Sequence, residues 1–267
     1  MDSLSLLLLE KTKEVRAKLM EYALLTDVGK LRENNQDYVN VFKNKKDIVF
    51  GIVADGMGGH RGGDVASDMA VSHLGHNFEE SEVDNIVELR EWIIRELSKE
   101  NDRIVSVSNQ FDDLNGMGTT MVGVFFVGEQ MMVVNVGDSR CYIYTNDELK
   151  QLSVDHSLVH ELLETGQISP EEAENHPQKN IITQTLGVSQ TVQPRVKNFD
   201  LVDNAIILLC TDGLTNMVPE NEIKDILSKK MSLETKCHIL IDKANSAGGR
   251  DNITALLFST KDNGGNH

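Results

Sequence analysis

Five aspartates stand where short apolar segments begin or end, each with glycine, asparagine or serine close by. They are Asp37, Asp55, Asp138, Asp212 and Asp251. A lone aspartate beside a glycine is usually only a turn. Five carboxylates that converge at a sheet edge would repel one another unless something neutralised them. Their number and placement therefore predict a site for metal ions.

The ligands available to such a site are all oxygen, from carboxylates and backbone carbonyls. No Cys or His cluster in the sequence has the spacing of a zinc site, and no single loop has the regular Asp and Asn spacing of an EF-hand. Oxygen ligands from distant strands suit Mg²⁺, Mn²⁺ or Ca²⁺. With this many carboxylates we expect two ions about 3.5–4 Å apart, a pair that activates a water for in-line attack on phosphorus.

The segment from Val53 to Ser67, VADGMGGHRGGDVAS, places Asp55 before a cluster of glycines. It could be an ordinary strand-to-helix turn, in which glycine supplies backbone angles that other residues resist. The alternative is a loop whose backbone comes so close that the Gly56 carbonyl reaches a metal ion or its waters. No Lys-Ser or Lys-Thr pair follows the glycines, so the segment is not a P-loop and a nucleotide-binding kinase is disfavoured.

Arg32 shares a short loop with Asp37 and is therefore expected beside the metal ions. A guanidinium fork matches the oxygens of a phosphate dianion. Taken on its own, Arg32 is better explained as a solvated surface residue.

The elements that must position these residues follow from hydrophobic patterning. Short apolar runs predict strands over Tyr22–Thr26, Ile48–Ala54, Met121–Val127, Met131–Val136, Cys141–Thr145, Ala205–Cys210 and Thr254–Phe258. Longer periodic segments predict helices over Asp64–Phe78, Asp84–Asn109, Ser157–Thr165, Pro219–Lys229 and Leu233–Ala247, and another beginning at Ser169-Pro170. A tight link between the third and fourth strands indicates an antiparallel hairpin. The pattern favours an α+β layered fold.

Composition narrows the class of partner. The 267 residues include 26 Lys and Arg against 42 Asp and Glu, a net charge of −16. Such a surface repels nucleic acid and anionic membranes. The apolar run Leu6–Leu9 is too short for a signal peptide core, so no membrane insertion is expected. The three cysteines form no CxxC and none has the surroundings of a nucleophilic thiol, which indicates a reducing, cytoplasmic setting.

Seven short motifs follow one another along the chain: TDVGKLRENNQD at Thr26–Asp37, ADGMGGH at Ala54–His60, GMGTT at Gly116–Thr120, VGDSR at Val136–Arg140, DHS at Asp155–Ser157, TDGL at Thr211–Leu214 and DNIT at Asp251–Thr254. Their order resembles that of the bacterial protein phosphatase 2C family, the metal-dependent serine/threonine phosphatases. Each motif is weak alone, but seven in order over about residues 20 to 260 are specific. The chain most resembles the housekeeping phosphatases of Gram-positive bacteria that oppose a transmembrane Ser/Thr kinase.

The resemblance implies a four-layer α-β-β-α sandwich, with a central antiparallel β-sandwich flanked by paired helices. It also implies that Asp55 bridges two Mn²⁺ or Mg²⁺ ions, with the Gly56 carbonyl on one of them and Asp212 and Asp251 on the other. Asp37 would hold a metal-bound water. Bacterial members bind a third ion, which matches Asp138 together with Asp212.

The resemblance further implies that Arg32 binds phosphate and that a flap covers the site from about Asp155 to Lys179. Within it, we expect surface or capping roles for His156, His160 and His176. The expected reaction is one-step hydrolysis of phosphoserine and phosphothreonine in proteins by a metal-bridging hydroxide, without a phosphoenzyme. The expected partners are phosphorylated proteins and a cognate Ser/Thr kinase, and the expected state is a monomer.

Three positions depart from the family pattern. Gln36 stands where Glu is frequent, which removes an anionic neighbour and predicts weaker binding of the second metal. Asp64 replaces a common Glu. Met57 stands where eukaryotic relatives carry the His proposed as general acid, and His60 is near but not equivalent, so a metal-bound water could protonate the leaving group.

Two alternatives stay open from the residues. A catalytically inactive relative could act as a metal-bound binding or regulatory module, although Asp212 and Asp251 are both retained. A metal phosphoesterase of small molecules would carry the same carboxylates.

For domain organisation we expect a dispensable extension over 1–20, one catalytic domain over 21–260 and a loose tail over 261–267.

Overall fold

Two antiparallel sheets face each other at the centre of the protein. The computed structural model describes residues 20–174, 176–178 and 181–260, so the predicted tail and all but the last residue of the predicted extension lie outside the described residues. In spatial order, the first sheet contains β1 (Glu21–Asp27), β11 (Ile253–Ser259), β10 (Ile206–Cys210), β7 (Arg140–Thr145) and β8 (Glu148–Gln151). The second contains β2 (Asp37–Lys43), β3 (Val49–Met57), β5 (Met121–Val127), β6 (Gln130–Val136) and β9 (Arg195–Asp200), and the short β4 (Gly118–Thr119) pairs with β3.

Helices cover the outer faces of both sheets. In the described part of the chain the helices are α1 (Gly59–Glu79), α2 (Ile86–Gln110), α3 (Leu158–Glu164), α4 (Pro170–Glu174), α5 (Asp212–Thr215), α6 (Glu220–Ser228) and α7 (Leu233–Ser246), and a single 3₁₀ turn spans Asp112–Leu114. Those packed on the sheets are α1, α2, α5, α6 and α7. None of the helices described is both long and apolar enough to cross a membrane.

Three apolar cores separate four layers. Between the sheets, the inward residues of the strands interdigitate, and the rings of Phe126 and Phe258 lie 5.0 Å apart. Against the second sheet, α1 and α2 bury an aromatic cluster in which Phe50 stacks on Phe125 at 4.0 Å. Against the first sheet, α5, α6 and α7 bury a third core. This helix–sheet–sheet–helix order confirms the predicted α+β sandwich with paired outer helices.

All seven predicted strands are present, with ends that agree to within three residues. The helix predicted to begin at Ser169-Pro170 is also present and has a capping box, in which the Ser169 amide donates to Glu172 Oε2 at 2.8 Å and the Glu172 amide donates to Ser169 Oγ at 3.3 Å. One prediction was wrong in extent. The helix expected from Asp64 begins at Gly59, so the first turn of α1 is made by the glycine-rich run itself.

Candidate metal centre and active site

The predicted aspartates meet at one end of the sandwich. Asp37 opens β2 and pairs directly with Asp55 near the end of β3. Asp138 follows β6, Asp212 follows β10 and Asp251 precedes β11. Because neighbouring strands are antiparallel, these starts and ends all fall at the same edge.

An open cavity of about 610 Å³ lies at this edge. The predicted site residues that line it are Arg32, Asp55, Gly56, Asp138, Asp212 and Asp251. Asp37 is the exception, since it is 5% exposed and is not among the residues that line the cavity. The structure therefore brings together carboxylates from both sheets that are far apart in sequence. Among those that line the cavity, Asp55 and Asp251 are separated by 196 residues.

Threonines of the GMGTT segment hold the backbone of Asp55. The Asp55 carbonyl accepts hydrogen bonds from the Thr119 hydroxyl and the Thr120 amide, both at 2.9 Å. The Asp55 amide donates to Thr120 Oγ1 at 3.0 Å. Thr120 Oγ1 also lies 2.7 Å from Ser139 Oγ, which connects the Asp55 strand to the loop of Asp138.

Close backbone approach explains the glycine after Asp55. A Cβ on Gly56 would lie 2.0 Å from the carbonyl oxygen of Gly63 in the first turn of α1 and 2.6 Å from that of Gln36. Gly58, at φ +118°, makes the left-handed step into the helix. The glycines thus let a helix begin inside the run and pack directly against the strand that carries Asp55, which is closer to the strand-to-helix alternative than to an extended loop.

Asp37 is held by two hydroxyls on one oxygen only. Its Oδ2 accepts from Thr254 Oγ1 at 2.7 Å and from Thr211 Oγ1 at 2.9 Å. Its Oδ1 is buried with no hydrogen-bond partner among the described residues. Burial, opposed by these hydrogen bonds and reinforced by the nearby Asp212 and Asp251, raises the pKa of Asp37 to about 7.

The other carboxyls of the site share this environment. Burial and then the charge of Asp37 raise the pKa of Asp55 well above its usual value. Burial and then the charge of Asp212 raise the pKa of Asp138 to about 7. Burial and then the charge of Asp251 also raise the pKa of Asp212. Four carboxyls that resist ionisation together form a site in which cations would be strongly favoured.

These residues fit hard divalent cations. Two buried carboxylate oxygens, Asp37 Oδ1 and Asp212 Oδ1, lack a partner in the described residues, and both are oxygen donors. No group of three or more His, Cys, Asp or Glu side chains within residues 20–174, 176–178 and 181–260 is arranged to enclose an ion by itself. Carboxylate and carbonyl oxygens are the donors that Mg²⁺ and Mn²⁺ prefer.

Arg32 lies at the mouth of the cavity. Its Nη2 donates to Asp251 Oδ2 at 2.8 Å, and the two side chains are 47% and 35% exposed. Its Nε approaches the Arg250 carbonyl at 3.4 Å. The guanidinium is therefore both anchored to a site carboxylate and open to a ligand from solvent.

Asn252 is a site residue that the sequence interpretation missed. Its side chain donates to the carbonyls of Val28 and Asn34, both at 2.9 Å, and accepts from the Gln36 amide at 2.8 Å. It thereby fixes the loop that carries Arg32. The sequence signal for Asn252 was its position next to Asp251 in the DNIT segment. Thr211 and Thr254, the two hydroxyl donors to Asp37, also lie inside the quoted motifs and were missed in the same way.

His156 differs from its predicted surface or capping role. It is 4% exposed, its amide donates to the Gly137 carbonyl at 2.9 Å, and its Nδ1 accepts from the Gly137 amide at 3.2 Å. These two bonds fix the residue that precedes Asp138. His160 contacts Glu164 at 3.2 Å and His176 Nδ1 accepts from the Gln178 amide at 3.2 Å, in line with local capping and surface roles.

A second cavity of about 450 Å³ shares Asp138 and Asp212 with the first. One wall comes from α3, through Val159, His160 and Leu163. This places the segment predicted as a flap next to the carboxylates. The thiols of Cys141, Cys210 and Cys237 are buried, and burial raises the pKa of each, so none is a nucleophile.

Comparison with known proteins gives a consistent result. The family model described as Protein phosphatase 2C matches residues 30–245. The chain is 49% identical over 233 residues to the serine/threonine phosphatase stp of Listeria welshimeri, covering 87% of this chain and 92% of that one. The S. agalactiae serine/threonine phosphatase structure superposes with a TM-score of 0.87 at 43% identity, covering 91% and 100% of the two chains. The catalytic domain of the phosphatase PstP in complex with two manganese ions gives a TM-score of 0.77 at 30% identity, covering 91% and 99%.

Proposed function

Since the chain belongs to the bacterial protein phosphatase 2C family and is a protein serine/threonine phosphatase, we propose that it hydrolyses phosphoserine and phosphothreonine in one step at the aspartate-lined cavity. The family is metal-dependent, and a similar phosphatase was solved with two manganese ions. For this chain the ions are Mn²⁺ or Mg²⁺. When bound, such a pair supplies an activated water at neutral pH and neutralises charge on the phosphoryl oxygens.

The ligand assignment follows the cavity. Asp55, the Gly56 carbonyl, Asp212 and Asp251 would hold the two ions, with Asp55 as a ligand that both would share. Asp138, together with Asp212, would hold a third ion. The support is that these residues line one cavity, and that burial and mutual repulsion raise the pKa of Asp55, Asp138 and Asp212.

Asp37 orients the attacking water. Its Oδ2 is occupied by two threonine hydroxyls, and its Oδ1 has no partner among the described residues. Oδ1 is therefore the acceptor left for a water hydrogen. A carboxylate fixed in this way can direct a water lone pair toward phosphorus.

Arg32 binds the phosphoryl group with its guanidinium fork. In the present structure Nη2 is on Asp251 and the side chain is 47% exposed, so further donors remain accessible from the cavity. Charge that develops on the phosphoryl oxygens in the transition state strengthens these bonds. Met57, the residue after Asp55-Gly56, has no proton to donate, and the leaving oxygen takes its proton from water.

The physiological partners we propose are phosphorylated proteins and a Ser/Thr kinase whose targets the enzyme dephosphorylates in the cytoplasm, with the enzyme acting as a monomer. The named phosphatases at 43–49% identity over most of the chain support protein substrates. The acidic surface, with a net charge of −16, disfavours nucleic acid.

The observation that carries the proposal is the meeting of Arg32 and four aspartates around one cavity. The test is hydrolysis of a phosphothreonine peptide with Mn²⁺ and with EDTA, by the wild type, by Asp212→Asn and by Asp225→Asn. Asp225 is an exposed acid on α6 and serves as the matched control. We expect Mn²⁺-dependent activity that is lost in Asp212→Asn and retained in Asp225→Asn.

Equal rates with EDTA, or an unaffected Asp212→Asn variant, would overturn the metal mechanism. Wild-type protein that binds Mn²⁺ without hydrolysing the peptide would instead indicate the binding module. A higher kcat/KM for small phosphate esters than for phosphopeptides would favour the small-molecule phosphoesterase.

A further inference from the structure

A chain of side-chain hydrogen bonds connects the surface to Asp37. Asn35 Nδ2 donates to Thr26 Oγ1 at 2.8 Å, Thr26 Oγ1 lies 2.7 Å from Thr254 Oγ1, and Thr254 Oγ1 donates to Asp37 Oδ2 at 2.7 Å. Thr26 is on the edge strand β1 and does not line the cavity of the aspartates. Its hydroxyl therefore reaches the site only through Thr254.

The direction of each bond in the chain is determined by proton count. A hydroxyl has one hydrogen, and Thr254 donates its hydrogen to Asp37 Oδ2. Thr26 must then be the donor to Thr254. The amide group of Asn35 donates to Thr26, so every hydrogen in the chain points toward Asp37. Bonds aligned in this way polarise and strengthen one another.

The second donor on Asp37 is fixed independently. Thr211 Oγ1 accepts the Thr254 backbone amide at 3.1 Å and donates its own hydrogen to Asp37 Oδ2 at 2.9 Å. Two hydroxyls on one carboxylate oxygen set the rotation of the group about its Cβ–Cγ bond. They leave Oδ1, buried and without a partner in the described residues, as the acceptor for the site.

We propose that Thr26 is a positioning residue for the reaction, which acts through the Thr254 hydroxyl to fix the carboxylate of Asp37. This inference rests on the proposed role of Asp37 in orienting water beside the metal ions. Without the Thr26 hydroxyl, the Thr254 hydroxyl loses its donor and is free to rotate about its Cβ–Oγ bond. Its hydrogen bond to Asp37 Oδ2 is therefore weakened. The consequence is a less ordered Oδ1, with weaker metal binding and slower turnover and with an unchanged phosphate contact.

The test compares Thr26→Val with Thr26→Ser. Valine keeps the branched shape and suits a β-strand, whereas serine keeps the hydroxyl. Thr145→Val, at the far end of β7 in the same sheet, is the matched control. Each protein is titrated with Mn²⁺ by calorimetry and assayed for kcat and KM on a phosphothreonine peptide, after melting curves establish that it is folded.

For Thr26→Val we expect the Mn²⁺ Kd to rise and kcat to fall, each by about threefold to tenfold, while KM stays within twofold of the wild type. Loss of an outer partner of a metal site lowers metal affinity or activity by up to about 10–100-fold. Thr26→Ser and Thr145→Val should match the wild type within twofold. Thr254→Val, which removes the direct donor, should exceed Thr26→Val in both quantities, and Thr254→Ser should restore them.

A Thr26→Val protein with wild-type Mn²⁺ Kd and kcat would overturn the proposal. So would equal losses in Thr26→Ser and Thr26→Val, because the hydroxyl would then not be the cause. If the wild type failed to hydrolyse the peptide, the proposed function would fail separately, and the calorimetric comparison of the variants would still decide whether Thr26 acts on the metal site.

Discussion

Asp37 and Asp55 are directly opposite each other in the antiparallel pairing of β2 and β3. Like charges in such a position destabilise a sheet, because paired side chains on neighbouring strands lie only about 4.5–5.5 Å apart. The fold nevertheless places both carboxyls at its buried edge, with Asp212 and Asp251 close enough to affect the pKa of Asp37. Keeping this site formed therefore lowers the stability of the metal-free protein.

The first prediction is that the metal-free protein becomes less stable as pH rises from about 4 to about 7. Burial raises the pKa of Asp37 and Asp138 from 3.8 to about 7, so the folded state holds protons that the unfolded chain has released. The contribution of these two carboxyls to the free energy of unfolding is therefore greatest below about pH 4, and it is lost as the pH rises through their pKa in the folded state. Each tenfold difference in proton affinity corresponds to about 1.4 kcal/mol. Urea unfolding in EDTA at several pH values measures the slope.

The Asp55→Asn variant is the control for this slope. Removing one carboxyl relieves repulsion on Asp37, so the variant should be more stable than the wild type at pH 7.5 in EDTA, with a shallower pH dependence. Mn²⁺ at about 100 times its Kd should add about 2.7 kcal/mol to the wild type. A wild-type slope identical to that of Asp55→Asn would contradict the argument.

The second prediction concerns Lys236 on α7, a buried lysine that is 3% exposed. It donates to the carbonyls of Ile226 at 3.2 Å and Leu227 at 2.7 Å, and also to that of Lys229, at the carboxyl end of α6. The carbonyls of Ile226 and Lys229 also accept the backbone amides of Lys229 and Met231, at 3.3 and 3.0 Å, so the lysine adds charged hydrogen bonds from the neighbouring helix to this helix end. Lys236→Met should lower the free energy of unfolding by about 2–3 kcal/mol and leave kcat and KM unchanged at 25 °C.

Lys243 on the same helix is the comparison. Its exposed ion pair with Glu222 should contribute less than about 1 kcal/mol. Equal losses for Lys236→Met and Lys243→Met in urea unfolding would show that the buried contacts are not the cause.

Much of the fold could be predicted from the sequence because its central strands are buried on both faces. Met121–Val127 is almost entirely apolar and shows a strand without reference to its neighbours. Strands β2, β4, β8 and β9 were not predicted. Along β2 and β9, polar residues alternate with apolar ones, as in DYVNVFK and RVKNFD, and both strands are sheet edges. Edge strands present one face to solvent and so carry a weaker hydrophobic signal.

The same distinction applies to the site. Asp55 and Asp212 could be selected from local sequence, since each follows an apolar strand and precedes glycine. The hydroxyl donors of Asp37 lie 174 and 217 residues away in sequence, and only the sheet pairing brings them together. The glycine-rich run was misread because glycine disfavours helices, and its packing against Gly56 is a tertiary contact that no local pattern records.

The third prediction tests that close contact. In Gly56→Ala, the new Cβ would lie 2.0 Å from the Gly63 carbonyl oxygen, so either α1 or β3 must shift. We expect a loss of about 2–3 kcal/mol in stability and a large loss of Mn²⁺ affinity by calorimetry. Gly166→Ala meets nothing within 4 Å and is strained only by its φ of +68°, so it should cost about 1–2 kcal/mol with no effect on Mn²⁺. Wild-type Mn²⁺ affinity in Gly56→Ala would show that the approach is not required.

The fourth prediction separates phosphate binding by Arg32 from its contact with Asp251. Lysine keeps the charge but not the planar fork, so Arg32→Lys should weaken the phosphate contact by about 1.5–3 kcal/mol, or about tenfold to hundredfold in kcat/KM. If Arg32 acts on phosphate, the Mn²⁺ Kd should change by less than threefold, since Asp251 stays in place. Steady-state kinetics and calorimetry on the same preparations measure both quantities, with Arg90→Lys, an exposed arginine on α2, as the matched control. A variant that loses Mn²⁺ affinity as much as kcat/KM would instead assign Arg32 to the support of Asp251.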